Sequence, residues 1–223
     1  MFYVIMCGGQ YDHFGDLPRA LHEVQGEPLV ARTIRQLKAL GVDENLIFIT
    51  ASDPRFMKYG VVLQHENSYR ADGERNYGYW LDAFYPHFPK SIKVTFLFGD
   101  VKYTDYALAK ITGYARAAEI TGSSANVLYG TSAAKNPQHE NWGEPFAYVV
   151  CDYRAFMEGV QAVKKLQDEG KTKRIALVWE LYRYLNGLDV NVQQVLDETY
   201  ITIDDGTIDA DDPERFEEWN RNE

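Results

Sequence analysis

Short apolar runs of strand length recur along the chain and alternate with stretches of helical periodicity. The first run, residues 2–6, is almost wholly apolar, as expected for a strand that is buried on both faces of a parallel sheet. Six further runs follow, at residues 46–50, 61–63, 93–98, 126–130, 144–150 and 199–203. The alternation predicts an α/β fold: a single domain over residues 1–223, with a mixed, largely parallel sheet and helices on both faces.

Helices are indicated between these runs by apolar positions that return every three to four residues. The first helix is expected to open at residues 26–28, because Pro28 suits the first helical position, and to end at Gly41. A short aromatic helix is predicted at residues 79–85, where packing in the core is the simpler role. Further helices are predicted at residues 105–116, 152–170 and 177–187.

Composition narrows the class of partner. Hydrophobic residues make up 45% and charged residues 25% of the chain, which indicates a globular domain. The formal net charge of -10 argues against a nucleic-acid partner, because such affinity depends on neutralising phosphates with Lys and Arg. Cys7 and Cys151 are too few for a disulfide framework. No basic leader and no membrane-length apolar run is evident, so we expect a cytoplasmic protein with no membrane partner.

The turn after the first run carries the first candidate chemistry. Gly8 and Gly9 follow Cys7, and two glycines allow close approach of the backbone and expose N–H groups to an anion. Arg19 then supplies a cation a few residues later. A strand, a glycine turn and a cation are what a phosphate site needs, although a tight turn that binds nothing is an equal alternative on these residues alone.

The same stretch resembles the signature of nucleotidyltransferases that activate sugar phosphates. That signature is an apolar strand, Ala/Cys-Gly-Gly, a Gly-Thr-Arg loop, Pro-Lys-x-Leu and Gly-x-Pro-Leu. The matching segments here are Cys7-Gly8-Gly9, Pro18-Arg19-Ala20-Leu21 and Gly26-Glu27-Pro28-Leu29. The chain departs from the signature in two places. Tyr11-Asp12-His13 replaces Gly-Thr-Arg, and Arg19 replaces the lysine, which keeps the charge but not the donor geometry.

Three carboxylates are candidate Mg²⁺ ligands. Asp100 follows the strand 93–98 at the edge where open sheets bind ligands, although a strand-end Asp often only caps a turn. The resemblance places the family's metal-binding aspartate there. It also matches residues 209–215 to the Asp-Ile-Asp-Thr-Pro-Glu-Asp segment of these enzymes, in which aspartates help to bind Mg²⁺. Asp209 and Asp211 are the matching positions, and a solvated acidic tail is the plainer interpretation.

The remaining candidates lie in polar loops. The resemblance implies that the loop with His65 and Asn67 contacts the nucleotide base, and that His13 partly replaces the missing arginine. It places the acceptor side of the pocket near Lys135, for a phosphate, and Glu144, for a hydroxyl. Exposed loop residues and a capping glutamate explain these positions equally well.

The resemblance implies the Rossmann-like nucleotide-diphospho-sugar transferase fold and Mg²⁺-dependent nucleotidyl transfer in nucleotide sugar biosynthesis. A phosphorylated acceptor, most simply a sugar phosphate, would attack the α-phosphate of a nucleoside triphosphate (NTP) and release pyrophosphate. Arg19, Asp100 and Lys135 would carry the catalysis. A glycosyltransferase of similar topology and a non-catalytic nucleotide or sugar sensor are the two alternatives. Two oligomeric states are left open, a monomer and a homodimer.

Overall fold

Strand β1 (Phe2–Met6) is an interior strand of the main sheet, and the side chains of Tyr3, Val4 and Ile5 at its centre are almost fully buried. The computed structural model describes residues 1–8, 15–64, 80–84, 88–89, 91–136, 142–210 and 213–221. The other strands are β2 (Glu23–Val24), β3 (Glu27–Pro28), β4 (Ile47–Ala51), β5 (Val61–Gln64), β6 (Val94–Phe98), β7 (Val101–Lys102), β8 (Val127–Gly130), β9 (Pro145–Val150), β10 (Tyr200–Thr202) and β11 (Ile208–Asp209).

The main sheet has seven strands in the order β10-β8-β9-β6-β1-β4-β5. Strand β1 pairs in parallel with β4 and β6, and the β4–β5 and β8–β10 pairs are also parallel. Only β9 runs antiparallel, against β6 and β8. The predicted α/β class with a mixed, largely parallel sheet is therefore confirmed.

Helices cover both faces of this sheet. The described helices are α1 (Leu29–Ala39), α2 (Asp105–Thr121), α3 (Tyr153–Asp168), α4 (Val178–Leu185) and α5 (Pro213–Arg221), with 3₁₀ turns at Arg19–Leu21, Glu44–Leu46, Pro54–Tyr59, Trp80–Phe84 and Ser132–Lys135. Helix α5 packs against β2. On one face, the Phe156 ring of α3 packs against the Tyr148 ring of β9, with 5.2 Å between the ring centres. On the other face, the Tyr114 ring of α2 packs against the Tyr129 ring of β8, with 6.4 Å between the ring centres. None of the helices in the described part of the chain is long and apolar enough to cross a bilayer.

The start of α1 corrects a prediction. Residues 26–28 do not open the helix, because Gln25 and Gly26 take φ values of 55° and 75° and reverse the chain between β2 and β3. Pro28 has an extended ψ of 141° and helix α1 begins at Leu29. The predicted helix 105–116 is also too short. It runs to Thr121 and stops at Gly122, whose φ of 72° is left-handed.

A second, two-stranded sheet brings a late part of the chain to the end of β6. Strand β11 pairs antiparallel with β7, which sets Asp209 opposite Val101. The backbone N–H of Ala210 donates to the carbonyl of Asp100 at 3.0 Å. Ala210 is also fully buried in a small apolar cluster with Val24 and Leu29. This cluster fixes the position of the segment beside the main sheet.

Candidate functional site

The carboxyl ends of β1 and β6 meet at one edge of the sheet, because the two strands are parallel neighbours. Gly99 allows this close approach. A Cβ atom at that position would lie 2.6 Å from the Met6 carbonyl oxygen and 2.7 Å from the Cys7 sulfur. Gly8, two residues beyond β1, and Asp100, two residues beyond β6, therefore leave the sheet side by side, at the edge where open α/β sheets bind ligands.

The side chain of Arg19 is the centre of this site. It is 4% exposed and sits on the 3₁₀ turn Arg19–Leu21. Its Nη1 atom donates to the Ala210 carbonyl at 2.9 Å and lies 3.2 Å from Asp100 Oδ2 and 3.8 Å from Asp209 Oδ1. One buried guanidinium thus holds together two carboxylates that come from distant parts of the chain.

The two carboxylates keep some contact with solvent. The Asp100 side chain is 28% exposed and the Asp209 side chain 16%. With Arg19 they form a group of two negative charges and one positive charge, so the group carries a net negative charge. A triphosphate that approached this edge would be repelled unless a further cation arrived with it.

Burial also sets the ionisation of the groups behind the carboxylates. It raises the pKa of the Cys7 thiol well above its usual value, and the nearby Asp100 raises it further. Cys7 is therefore a neutral thiol at pH 7 and serves as packing beneath the turn. Burial likewise raises the pKa of Tyr103 well above its usual value. The Tyr103 hydroxyl accepts from the Phe98 N–H at 2.9 Å and donates to the Phe146 carbonyl at 2.5 Å.

A hydrogen-bonded junction fixes the segment that carries Asp209. Thr104, the N-cap of α2, donates its hydroxyl to Asp205 at 2.5 Å, and its N–H donates to the Thr207 hydroxyl at 3.1 Å. The Thr207 N–H donates to Asp205 at 3.0 Å. Partial burial raises the pKa of Asp205, but the hydrogen bonds from Thr104 and Thr207 outweigh it, so the pKa is lowered overall. Neither the role of Tyr103 nor this junction could be predicted from a local pattern, because both depend on contacts between distant segments.

The donor set of Asp100 and Asp209 fits Mg²⁺. Magnesium is usually bound by one or two carboxylates, with substrate phosphates and water completing its shell. The described residues contain no group of three or more His, Cys, Asp or Glu side chains that could enclose a metal ion. Asp100 and Asp209 would supply two of the ligands of a Mg²⁺ ion, and the phosphates of a bound ligand and water would have to supply the rest.

The candidate acceptor residues lie on and beside the Ser132–Lys135 turn. Lys135 ends that turn and pairs with Asp197 at 2.5 Å on the surface. Glu144 immediately precedes β9, and its N–H donates to the Thr131 hydroxyl at 3.0 Å. In the described part of the chain, Lys135 makes no ion pair with Asp100 or Asp209. The structure therefore joins Arg19, Asp100 and Asp209 in one cluster and gives Lys135 a different carboxylate partner.

Five of the predicted site residues lie outside the described residues. They are Gly9, His13, His65, Asn67 and Asp211. Their assigned roles stay predictions.

Known structures share this fold. A protein from Bacillus anthracis assigned as a glucose-1-phosphate thymidylyltransferase, solved with sucrose, is similar over 99% of this chain and 94% of its own, with a TM-score of 0.58 and 13% identity. CMP:2-keto-3-deoxy-manno-octonic acid synthetase, solved with CTP, is similar over 99% of this chain and 96% of its own, with a TM-score of 0.51 and 12% identity.

No family model and no curated protein matches the sequence. The class that the comparisons define is therefore a fold class, the nucleotide-diphospho-sugar transferase fold, which the sequence resemblance predicted. At such low identity the likeness shows the fold alone.

Proposed function

We propose that this protein is a nucleotidyltransferase, which transfers a nucleoside monophosphate from an NTP to a phosphorylated acceptor and releases pyrophosphate. The observation that carries the proposal is the convergence of Asp100 and Asp209 on Arg19, at the edge of the sheet where β1 and β6 end. Both neighbours in fold bear the names of enzymes that make nucleotide-activated products. A sugar phosphate is the acceptor class that we favour.

The proposed roles follow from charge and position. The N–H groups of Gly8 and Gly9 would bind phosphate oxygens, because the turn leaves the sheet where a ligand can approach the backbone. Asp100 and Asp209, with Asp211 as a further candidate, would hold Mg²⁺. When bound, Mg²⁺ would neutralise charge on the triphosphate and the departing pyrophosphate. Arg19 would hold the two carboxylates in place and add positive charge near the phosphates.

The remaining candidates concern the base and the acceptor. His13, His65 and Asn67 are proposed for the nucleotide, and Glu144 and Lys135 for the acceptor. The Lys135–Asp197 ion pair would have to open for Lys135 to bind a phosphate. Such an exposed pair is weak, so a phosphate can compete for the lysine.

A screen for pyrophosphate release tests the reaction. The four NTPs would be combined with a panel of sugar phosphates in the presence of Mg²⁺, with the wild type, Asp100→Asn and Asp209→Asn. We expect one NTP and acceptor pair to release pyrophosphate, Asp100→Asn to abolish turnover and Asp209→Asn to weaken it. Asp168→Asn, at the exposed end of α3, is the matched control and should behave as wild type.

Other outcomes identify the alternatives. Transfer from a nucleotide sugar, without pyrophosphate release from any NTP, would identify a glycosyltransferase. Nucleotide binding without turnover of any substrate would identify a sensor. Full activity in both Asp100→Asn and Asp209→Asn would show that this edge of the sheet is not the reaction centre.

A further inference from the structure

Two arginines, Arg183 and Arg174, lie against the indole of Trp142. The Arg183 side chain on α4 is fully buried, with 0% exposure. None of its three guanidinium nitrogens makes a hydrogen bond with any residue that the structure describes. Buried polar groups in proteins are almost always hydrogen-bonded, and exceptions often mark places where a ligand or ion binds.

The groups next to the Arg183 guanidinium are aromatic rings and not hydrogen-bond acceptors. Its Cζ atom lies 4.2 Å from the centre of the Trp142 ring and 5.7 Å from that of Trp179. Such contacts stabilise the positive charge of Arg183 through the faces of the rings. They do not provide hydrogen-bond acceptors for its N–H groups, because those groups point outwards in the plane of the guanidinium.

A second guanidinium shares the same indole. The Cζ atom of Arg174 lies 4.1 Å from the centre of the Trp142 ring, and the Arg174 side chain is 38% exposed. Trp142 itself is only partly buried. A small ligand can therefore reach Arg174 from solvent, and Arg174 shares its indole with the buried Arg183.

Two carboxylates act on Arg183 without bonding to it. Glu180 is buried, and its two oxygens accept from the Arg174 Nε and the Leu177 N–H, each at 2.8 Å. Burial lowers the pKa of Arg183 to about 10, and Arg174 adds to that effect, whereas Glu180 and Asp189 oppose it. Arg183 is still charged at pH 7. Neither Glu180 nor Asp189 accepts a hydrogen bond from Arg183, so its charge lacks a directly bonded partner.

We propose that Arg183 and Arg174 form a binding site for an oxyanion group at the edge of the Trp142 ring. A carboxylate or a phosphate can accept two parallel hydrogen bonds from a guanidinium. It would satisfy the N–H groups of Arg183. This site uses none of Arg19, Asp100 or Asp209, so it does not depend on the proposed nucleotidyl transfer.

The test measures anion binding and stability separately. Inorganic phosphate and acetate would each be titrated at constant ionic strength, with chloride as the balancing anion, and binding followed by calorimetry. We expect saturable binding of at least one anion to the wild type, and a loss of about tenfold or more in affinity for Arg183→Met. Arg154→Met, which changes an exposed arginine on α3, is the control and should keep wild-type affinity.

Stability distinguishes a binding role from a packing role. In buffer without either anion, Arg183→Met should unfold at a urea concentration no lower than the wild type, because it removes a buried charge that lacks hydrogen bonds. Arg183→Lys keeps the charge without the bidentate geometry and should also lose affinity. Asp100→Asn should bind the anion normally, which separates this site from the proposed reaction centre.

Binding of phosphate alone would assign the site to a phosphate group, and binding of acetate would assign it to a carboxylate. Either result supports the proposal. Two results would overturn it: no saturable binding of either anion to the wild type, or wild-type affinity in folded Arg183→Met. Clear destabilisation of Arg183→Met with unchanged affinity would instead give Arg183 a packing role only.

Discussion

Replacing Arg19 with methionine should affect stability, metal binding and triphosphate binding in different directions. The change removes the cation that contacts Asp100 at 3.2 Å and Asp209 at 3.8 Å while keeping an unbranched apolar side chain. Breaking a fully buried ion pair costs about 3–5 kcal/mol. Both carboxylates retain some exposure to solvent, which reduces the cost, so we expect a loss of about 2–4 kcal/mol in the free energy of unfolding.

The same change should strengthen Mg²⁺ binding. Without Arg19, Asp100 and Asp209 present two negative charges with less compensation, which should raise the affinity for Mg²⁺ about tenfold. Triphosphate affinity should fall, because the phosphates lose a nearby positive charge. Mg²⁺ should therefore stabilise Arg19→Met more than it stabilises the wild type, since a ligand that binds only the folded state shifts unfolding by mass action.

Urea unfolding at pH 7 with and without Mg²⁺, and calorimetric titration of Mg²⁺ and of NTP, measure these effects. Arg154→Met is again the control, because its guanidinium pairs with Glu158 on the surface. Equal Mg²⁺ affinity in Arg19→Met and wild type would refute the view that Arg19 shares its carboxylates with the metal. Unchanged triphosphate affinity in the folded variant would refute its role near phosphate.

Three further changes test the supports of the site. Tyr103→Phe leaves two buried backbone groups without their hydroxyl partner and should cost about 1–3 kcal/mol in urea unfolding. Gly99→Ala places a methyl group where a Cβ would lie 2.6 Å from the Met6 oxygen, so it should destabilise the fold by about 1–3 kcal/mol and weaken Mg²⁺ binding. Because its pKa is lowered, Asp205 contributes stability above its unfolded pKa and loses it as the pH falls through the folded value. The stability difference between wild type and Asp205→Asn should therefore shrink from pH 7 to pH 3; a difference independent of pH would contradict this account.

The strands of the main sheet could be predicted because each is a local apolar pattern. All seven predicted runs correspond to its strands, with no end point shifted by more than one residue. The β2–β3 hairpin was missed because its strands have two residues each, too short for a periodic signal, and because Gly26-Glu27-Pro28 matches the start of a helix equally well. The local sequence favoured a helix start at residues 26–28, whereas the antiparallel pairing of β2 with β3 places residues 27–28 in a strand.

The site could be predicted only in part. The resemblance pointed to Asp100 and Asp209 as neighbours, and the structure brings them together on Arg19. It assigned Arg19 to phosphate alone, because the partner of a side chain depends on how β7 and β11 pair, which no local pattern shows. For the same reason, Arg183 was not singled out from the sequence. Its contact with Trp142 joins two segments that are far apart along the chain.

The pairing of β11 with β7 separates folding of the scaffold from completion of the site. The seven strands of the main sheet are all present by Thr202, whereas Asp209 lies beyond them. During synthesis or refolding the sheet can form while Asp100 and Arg19 still lack their second carboxylate. Contacts between residues distant in sequence form late, because closing a long loop costs entropy first. If Asp100 and Asp209 hold Mg²⁺ as proposed, Mg²⁺ binding would report the docking of residues 208–210. It would then distinguish an intact molecule from one cleaved at Gly206, in which the sheet would persist without Asp209.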